Sequence, residues 1–215
     1  MIERVHVQSF VAFTIGVWLV VLWVQGMPVL SWKFVRPFSL VVALALGAAW
    51  GFERYAWAWP VFRDWYIKRP DLRGTWKVVL ESSWVDPDTG EPKGEVTGYM
   101  VVRQTLSSLS MRMLTVESKS KVVAHGIERD SDGVYSLSAI YRNEPAIELQ
   151  STRSPIHHGS FHLEIHGAYP TALEGHYWTD RTTRGSMRLE QRSPAIVQSY
   201  EDARAWASGG ERLER

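Results

Sequence analysis

The stretch LEGHYWTDRTTRGSMRL, residues 173–189, sets Tyr177 and Trp178 before a turn that carries Thr179, Arg181, Thr182, Thr183 and Arg184. Arg142 stands in the same relation to Tyr141, just beyond an aromatic at the end of an apolar run. Guanidinium groups suit phosphate oxygens in bidentate geometry, and stacking a base on an aromatic ring is worth about 1–3 kcal/mol. Taken singly, each arginine reads as an ordinary surface residue. Taken together with the threonine hydroxyls, they point to a small anionic ligand with stackable rings.

Alternation says which of these residues share a face. Val96, Gly98, Met100, Val102 and Gln104 form one row, Tyr135, Leu137, Ala139 and Tyr141 a second, and Leu173, Gly175, Tyr177 and Thr179 a third. With these rows turned inward, a cavity has an apolar floor and a polar mouth of Gln104, Tyr141, Tyr177 and Thr179. Ser118 and Ser120 add hydroxyls, and buried polar groups of this kind need partners or a ligand. Tyr177 and Trp178 point to opposite faces, so only one of them faces the interior.

Other chemistries find little footing. The formal net charge of +1 provides no basic field for DNA or RNA. The absence of cysteine excludes disulfides and thiolate metal sites. His158, His162 and His166 fall on one strand face with Glu164, but strand neighbours two or four apart rarely converge on one ion, so no metal is expected. No G-x-S-x-G, Walker loop or H-E-x-x-H occurs. The expectation is a binding protein, not an enzyme, with no catalytic residue and no cofactor besides a signalling ligand.

The elements that must position these residues fall into two kinds. Val5 to Trp32 lacks Asp, Glu, Lys and Arg, and Pro37 to Phe52 is a second apolar run. Together they predict a two-helix transmembrane hairpin over residues 1–60. Lys33 and Arg36 in its turn are outnumbered by Arg4, Arg54, Arg63, Lys68 and Arg69 on its flanks, which predicts both termini in the cytoplasm of a bacterial inner membrane. Ala43, Gly47 and Gly51 recur every four residues, a small-residue stripe expected to pack the two helices together or, as the alternative, to meet the hairpins of neighbouring molecules. After a linker over 61–70 the period changes to two, and eight or nine short strands predict a small antiparallel barrel over 71–192. Residues 193–215 are expected to be helical or disordered, with Ser193 as a helix cap. The fold class expected is therefore membrane-anchored all-β, with two transmembrane helices and a lipocalin-like barrel of about eight strands. The Gly74-Thr75-Trp76 tripeptide is similar to the Gly-x-Trp of lipocalins, in which the Trp plugs the barrel base. That likeness implies an Arg over Trp76, a place Arg188 could take by a cation–π contact.

The order of two spans followed by LRGTW, RQT, SKS, YRNEP, HHGS and a G-x-Y-W-T-D-R-x-T-x-G hairpin at Gly175–Gly185 resembles the bacterial two-transmembrane, β-strand-rich effectors of CBASS antiphage signalling. The resemblance implies a barrel that binds a cyclic di- or oligonucleotide made by an associated cyclic-nucleotide synthase. It also implies a homo-oligomer in contact with membrane lipid, which disrupts the membrane in abortive infection. It makes Tyr141, Arg142, His158, Thr179, Arg181 and Arg184 candidate ligand contacts. Two alternatives remain open: a Panoptes-type effector restrained by its nucleotide, and a membrane-tethered binder of an apolar ligand.

Overall fold

Period-two alternation governs the chain from Gly74 to Ser193, and a computed structural model shows where each row turns. The structure describes residues 4–26, 38–62, 66–85, 90–91, 94–150 and 154–211. Eight antiparallel strands close into one barrel in sequence order: β1 (Gly74–Ser82), β2 (Glu95–Gln104), β3 (Leu109–Leu114), β4 (Ser118–Arg129), β5 (Tyr135–Pro145), β6 (His157–Ile165), β7 (Leu173–Thr179) and β8 (Arg184–Ser193), with β8 paired back onto β1. Closure removes free sheet edges. It also gives every strand an inner and an outer face, so alternation decides what reaches the interior. The segment after Pro145, expected as a further strand, instead makes one helical turn, Ile147–Gln150, with Ile147 exposed.

The inner rows pack the lower barrel with Trp76, Val78, Val102, Met111, Leu137, Leu163 and Leu189, all fully buried. Trp76 donates its indole N–H to the Leu72 carbonyl at 2.9 Å. The guanidinium over it belongs to Arg192, 5.2 Å from the ring centroid, and not to Arg188. Arg188 lies outward between the buried Met187 and Leu189 and sits 3.6 Å from Glu190. A bulge causes the exchange. Lys77 pairs with Glu190 but Thr75 pairs with Ser193, so β8 carries one extra residue, and Gln191 takes φ 48°. Strict alternation ends there, and Arg192 turns toward the base.

Arg192 also donates to the Arg73 carbonyl at 2.8 Å and meets Asp71 at 3.1 Å, while Tyr169 lies 4.2 Å from its guanidinium. Burial opposes a charge on Asp71, but the hydrogen bonds from Arg73 and the guanidiniums of Arg73 and Arg192 outweigh it and hold the carboxyl below its ordinary value. Gly74 fits this corner with φ 126°, where a Cβ would fall 2.2 Å from the Ser193 carbonyl oxygen.

The C-terminal helix, α4 (Tyr200–Glu211), begins later than Ser193. Its cap is Ser199, whose hydroxyl accepts from the Asp202 N–H at 3.1 Å and donates to the Asp202 carboxylate at 2.7 Å. Tyr200 and Trp206 meet Tyr99 on the outer wall of β2 at 5.5 and 6.3 Å, and Ala203 is fully buried.

The chain divides into two units, Met1–Trp59 and Pro60–Arg215. In the first, α1 (Arg4–Val24) lies against α2 (Phe38–Arg54). At 1.5 Å per residue, the 17 residues of α2 reach about 25 Å, short of a ~30 Å hydrocarbon core. Among the described residues no helix is long and apolar enough to cross a membrane. This corrects the expected transmembrane hairpin, the multi-pass inner-membrane placement and the all-β class: the barrel is joined to a helical N-terminal unit and a C-terminal helix. The turn bearing Lys33 and Arg36 lies outside the described residues. The small-residue stripe is corrected too. Leu22, Val41 and Ala45 are buried, whereas Ala43 and Gly47 are exposed and a Cβ on Gly47 or Gly51 would meet nothing within 4 Å. Two residues of offset turn a side chain by about 200° around a helix.

The base clasp yields the first prediction. Arg192→Leu should cost about 3 kcal/mol, the low end for removing one partner of a buried pair, because Arg73 still faces Asp71. Arg188→Leu should stay within about 0.5 kcal/mol. Urea denaturation of the two variants checks the assignment, and equal losses would refute it.

Candidate ligand cavity

Antiparallel strands reverse direction at every turn, so the upper end of the barrel gathers the end of β1, the starts of β2, β4, β6 and β8, and the ends of β3, β5 and β7. There the packing opens into a cavity of about 520 Å³, within the range of small-molecule sites. Its floor is apolar, with Met100, Met111, Phe161 and Met187 among the lining residues. Above them stands a polar ring of Ser118, Ser120, Tyr141, Asn143, Thr179 and Arg181, with Tyr177 beside it.

Two turns build much of the ring. Between β3 and β4, the Thr115 hydroxyl accepts the Ser118 N–H at 2.9 Å and meets the Ser118 hydroxyl at 3.0 Å. Between β7 and β8, the Thr179 and Thr183 hydroxyls lie 2.7 Å apart, and the Arg181 N–H donates to Thr179 at 3.2 Å. Thr182 takes φ 61° to close that turn. Arg181 is thereby directed at the mouth, where its Nη1 donates to the Ser154 hydroxyl at 2.9 Å.

Tyr141 lies with its ring 6.2 Å from Phe161 at an interplanar angle of 27°. It has this room because residue 159 is glycine: a Cβ there would fall 2.4 Å from the Tyr141 hydroxyl. Burial, with Tyr177 and Asp180 adding to it, pushes the Tyr141 phenol well above the ordinary tyrosine range. It therefore stays protonated and offers a hydrogen-bond donor. Asn143 is 8% exposed, and the Ser120 hydroxyl donates to its Oδ1 at 2.7 Å.

The structure thus brings Ser118, Ser120, Tyr141, Tyr177, Thr179 and Arg181 to one cavity and places the remaining sequence candidates elsewhere. Gln104 is buried at the opposite end, where its side chain accepts from the Leu72 N–H and donates to the Pro70 carbonyl, both at 2.9 Å. It shares the inner face with Met100 but sits at the base, because β2 runs downward. Arg142, one residue past Tyr141, falls on the outer face and lies 3.2 Å from Glu144. His158 is outward as well, its N–H donating to Asp180 at 2.9 Å. Arg184 lines a shallow outer hollow with Ser83, His176 and Trp178. Among the described residues no group of three or more His, Asp or Glu could hold a metal ion. Sequence reasoning missed Asn143 and His157. Extending the Tyr135–Tyr141 row by two residues reaches the first, and the second faces it across the β5–β6 ladder.

Known proteins give this arrangement a context. Residues 67–191 match the family described as Cap15, cyclic dinucleotide receptor domain. A relative, CD-NTase-associated protein 15 of Staphylococcus schleiferi, is 25% identical over 154 residues, covering 71% of this chain and 78% of that protein. The solved structure of a redesigned beta barrel covers 57% of this chain and 92% of its own at 14% identity, but its TM-score of 0.36 carries no argument. The resemblance to two-transmembrane effectors is corrected accordingly: the match lies on the receptor barrel, and among the described residues no helix provides the crossings. Membrane disruption by such helices falls with them. With the matched region taking up more than half its length, the chain belongs to the Cap15 cyclic dinucleotide receptor domain family, a non-catalytic receptor whose ligand is a cyclic dinucleotide.

Proposed function

We propose that the barrel mouth holds one cyclic dinucleotide, supplied by a CD-NTase of the kind that gives the staphylococcal relative its name. The observation that carries this reading is the polar ring over an apolar floor, with one guanidinium among the described residues, Arg181, on the cavity wall. A cyclic dinucleotide presents two phosphates and two flat bases. Arg181 takes one phosphate in bidentate geometry, and the hydroxyls of Thr179 and Ser118 serve the other. Tyr141 and Tyr177 offer rings for stacking, and the methionine floor adapts to the rest. The homo-oligomer expected from the sequence remains part of the proposal, on one physical condition: the ligand must bind one assembly state more tightly than the other.

Thermal melting of the full chain against cyclic dinucleotides tests the site. Ligand at 100 times its dissociation constant should add about 2.7 kcal/mol of stability. Arg181→Ala should abolish the shift, and Gly159→Ala should weaken it by displacing Tyr141. Arg142→Ala and Arg184→Ala, both outside the cavity, should leave it unchanged. A shift lost with Arg184 and kept with Arg181 would move the ligand to the outer wall. A shift produced by fatty acids and by no nucleotide would favour an apolar ligand.

A further inference from the structure

Asn143 is the most deeply buried polar side chain of the ring, and its amide is only half used. Ser120 donates to Oδ1, so the oxygen side of the amide is turned toward β4. No hydrogen bond to Nδ2 occurs among the described residues, although the residue is 8% exposed and lines the cavity. Nδ2 opens to the cavity, so its two N–H groups are donors available to an acceptor on a ligand there. The groups around it reinforce this polarity. The Tyr141 hydroxyl, two residues back on the same inner row, stays protonated and makes no hydrogen bond among the described residues. Arg181 adds N–H donors at the same mouth. Asn143, Tyr141 and Arg181 thus turn donors into the cavity, whose lining also holds the carboxylates of Glu95 and Glu117.

Resting on the reading that the cavity holds a cyclic dinucleotide, we infer that Asn143 reads one of the two bases and selects a base carbonyl there, as in uracil or guanine. Adenine has no carbonyl: its N1 and N7 acceptors each stand beside the exocyclic amino group, a donor that opposes the Asn143, Tyr141 and Arg181 donors, whereas guanine offers O6 and N7 side by side and uracil two carbonyls. Ser120 is the positioning residue: by holding Oδ1 it keeps the acceptor end of the amide away from the ligand. A side-chain amide free at both ends can pair with the donor and acceptor edge of adenine. This one has its oxygen engaged and does not.

Isothermal titration of the full chain with cyclic di-UMP, cyclic di-GMP and cyclic di-AMP tests the inference. Wild type should bind at least one carbonyl-bearing ligand about ten-fold or more tighter than cyclic di-AMP, the discrimination expected of a well-placed polar contact to a base. Asn143→Asp, which replaces the donors with acceptors, should reverse the order. Ser120→Ala should bring the ratio toward one by releasing the amide, and it carries the test alone if Asn143→Asp does not fold. An unchanged ratio in the folded variants, or a wild-type preference for cyclic di-AMP, overturns the role of Asn143 while leaving the cavity reading intact. No binding of any cyclic dinucleotide by wild type overturns the cavity reading itself.

Discussion

A barrel of eight strands has an interior about wide enough to be filled by its own side chains, so a cavity at one end requires dense packing at the other. Here the clasp around Trp76 supplies that packing. The indole is fixed by the Leu72 carbonyl and covered by Arg192, and Arg192 is held in turn by Asp71 and Arg73. The clasp ties residues before β1 to the end of β8, the two strands whose pairing closes the barrel. Closure then sets the parity of every strand, and parity decides which side chains enter the mouth.

The mouth works on a different principle from the base. Polar side chains buried there are partly satisfied by each other, through Thr115 with Ser118, Ser120 with Asn143, and Thr179 with Thr183. Leaving a buried donor unpaired costs free energy, and a ligand that completes the pairing recovers it. A ligand lacking the matching acceptors leaves those donors unpaired, which is how a mostly apolar cavity discriminates among anions of similar size. Glycine at residue 159, where any Cβ would meet Tyr141, shows how closely backbone and ring approach at this level.

Much of this was legible from alternation. The rows ending in Tyr141 and in Tyr177 and Thr179 do face inward, because nothing interrupts the pleat between them and the core. The departures have specific causes. Gln104 shares the inner face of Met100, but residue spacing along one strand does not say which end of the barrel it reaches; that requires the direction of β2. The place expected of Arg188 falls to Arg192, because a bulge at Gln191 is invisible to a strict period of two. Arg142 and His158, which the family resemblance makes ligand contacts, each stand one residue from an inward position, which turns them outward. Ser193 looked like a helix cap, yet it is still paired to Thr75 at the end of β8, and Ser199 with Asp202 forms the cap. In the N-terminal unit, composition spoke for two crossings, but among the described residues no helix is long and apolar enough to provide one.

The central claim is that a cyclic dinucleotide enters the barrel mouth and rests on its methionine floor. The most direct test is methyl NMR of the full chain labelled at methionine, because Met100, Met111, Met113 and Met187 all line the cavity. Addition of a cyclic dinucleotide should shift these four methyl signals together while the Trp178 indole signal on the outer wall stays in place. Unmoved methionine signals with a shifted Trp178 would put the ligand outside the barrel and contradict the account.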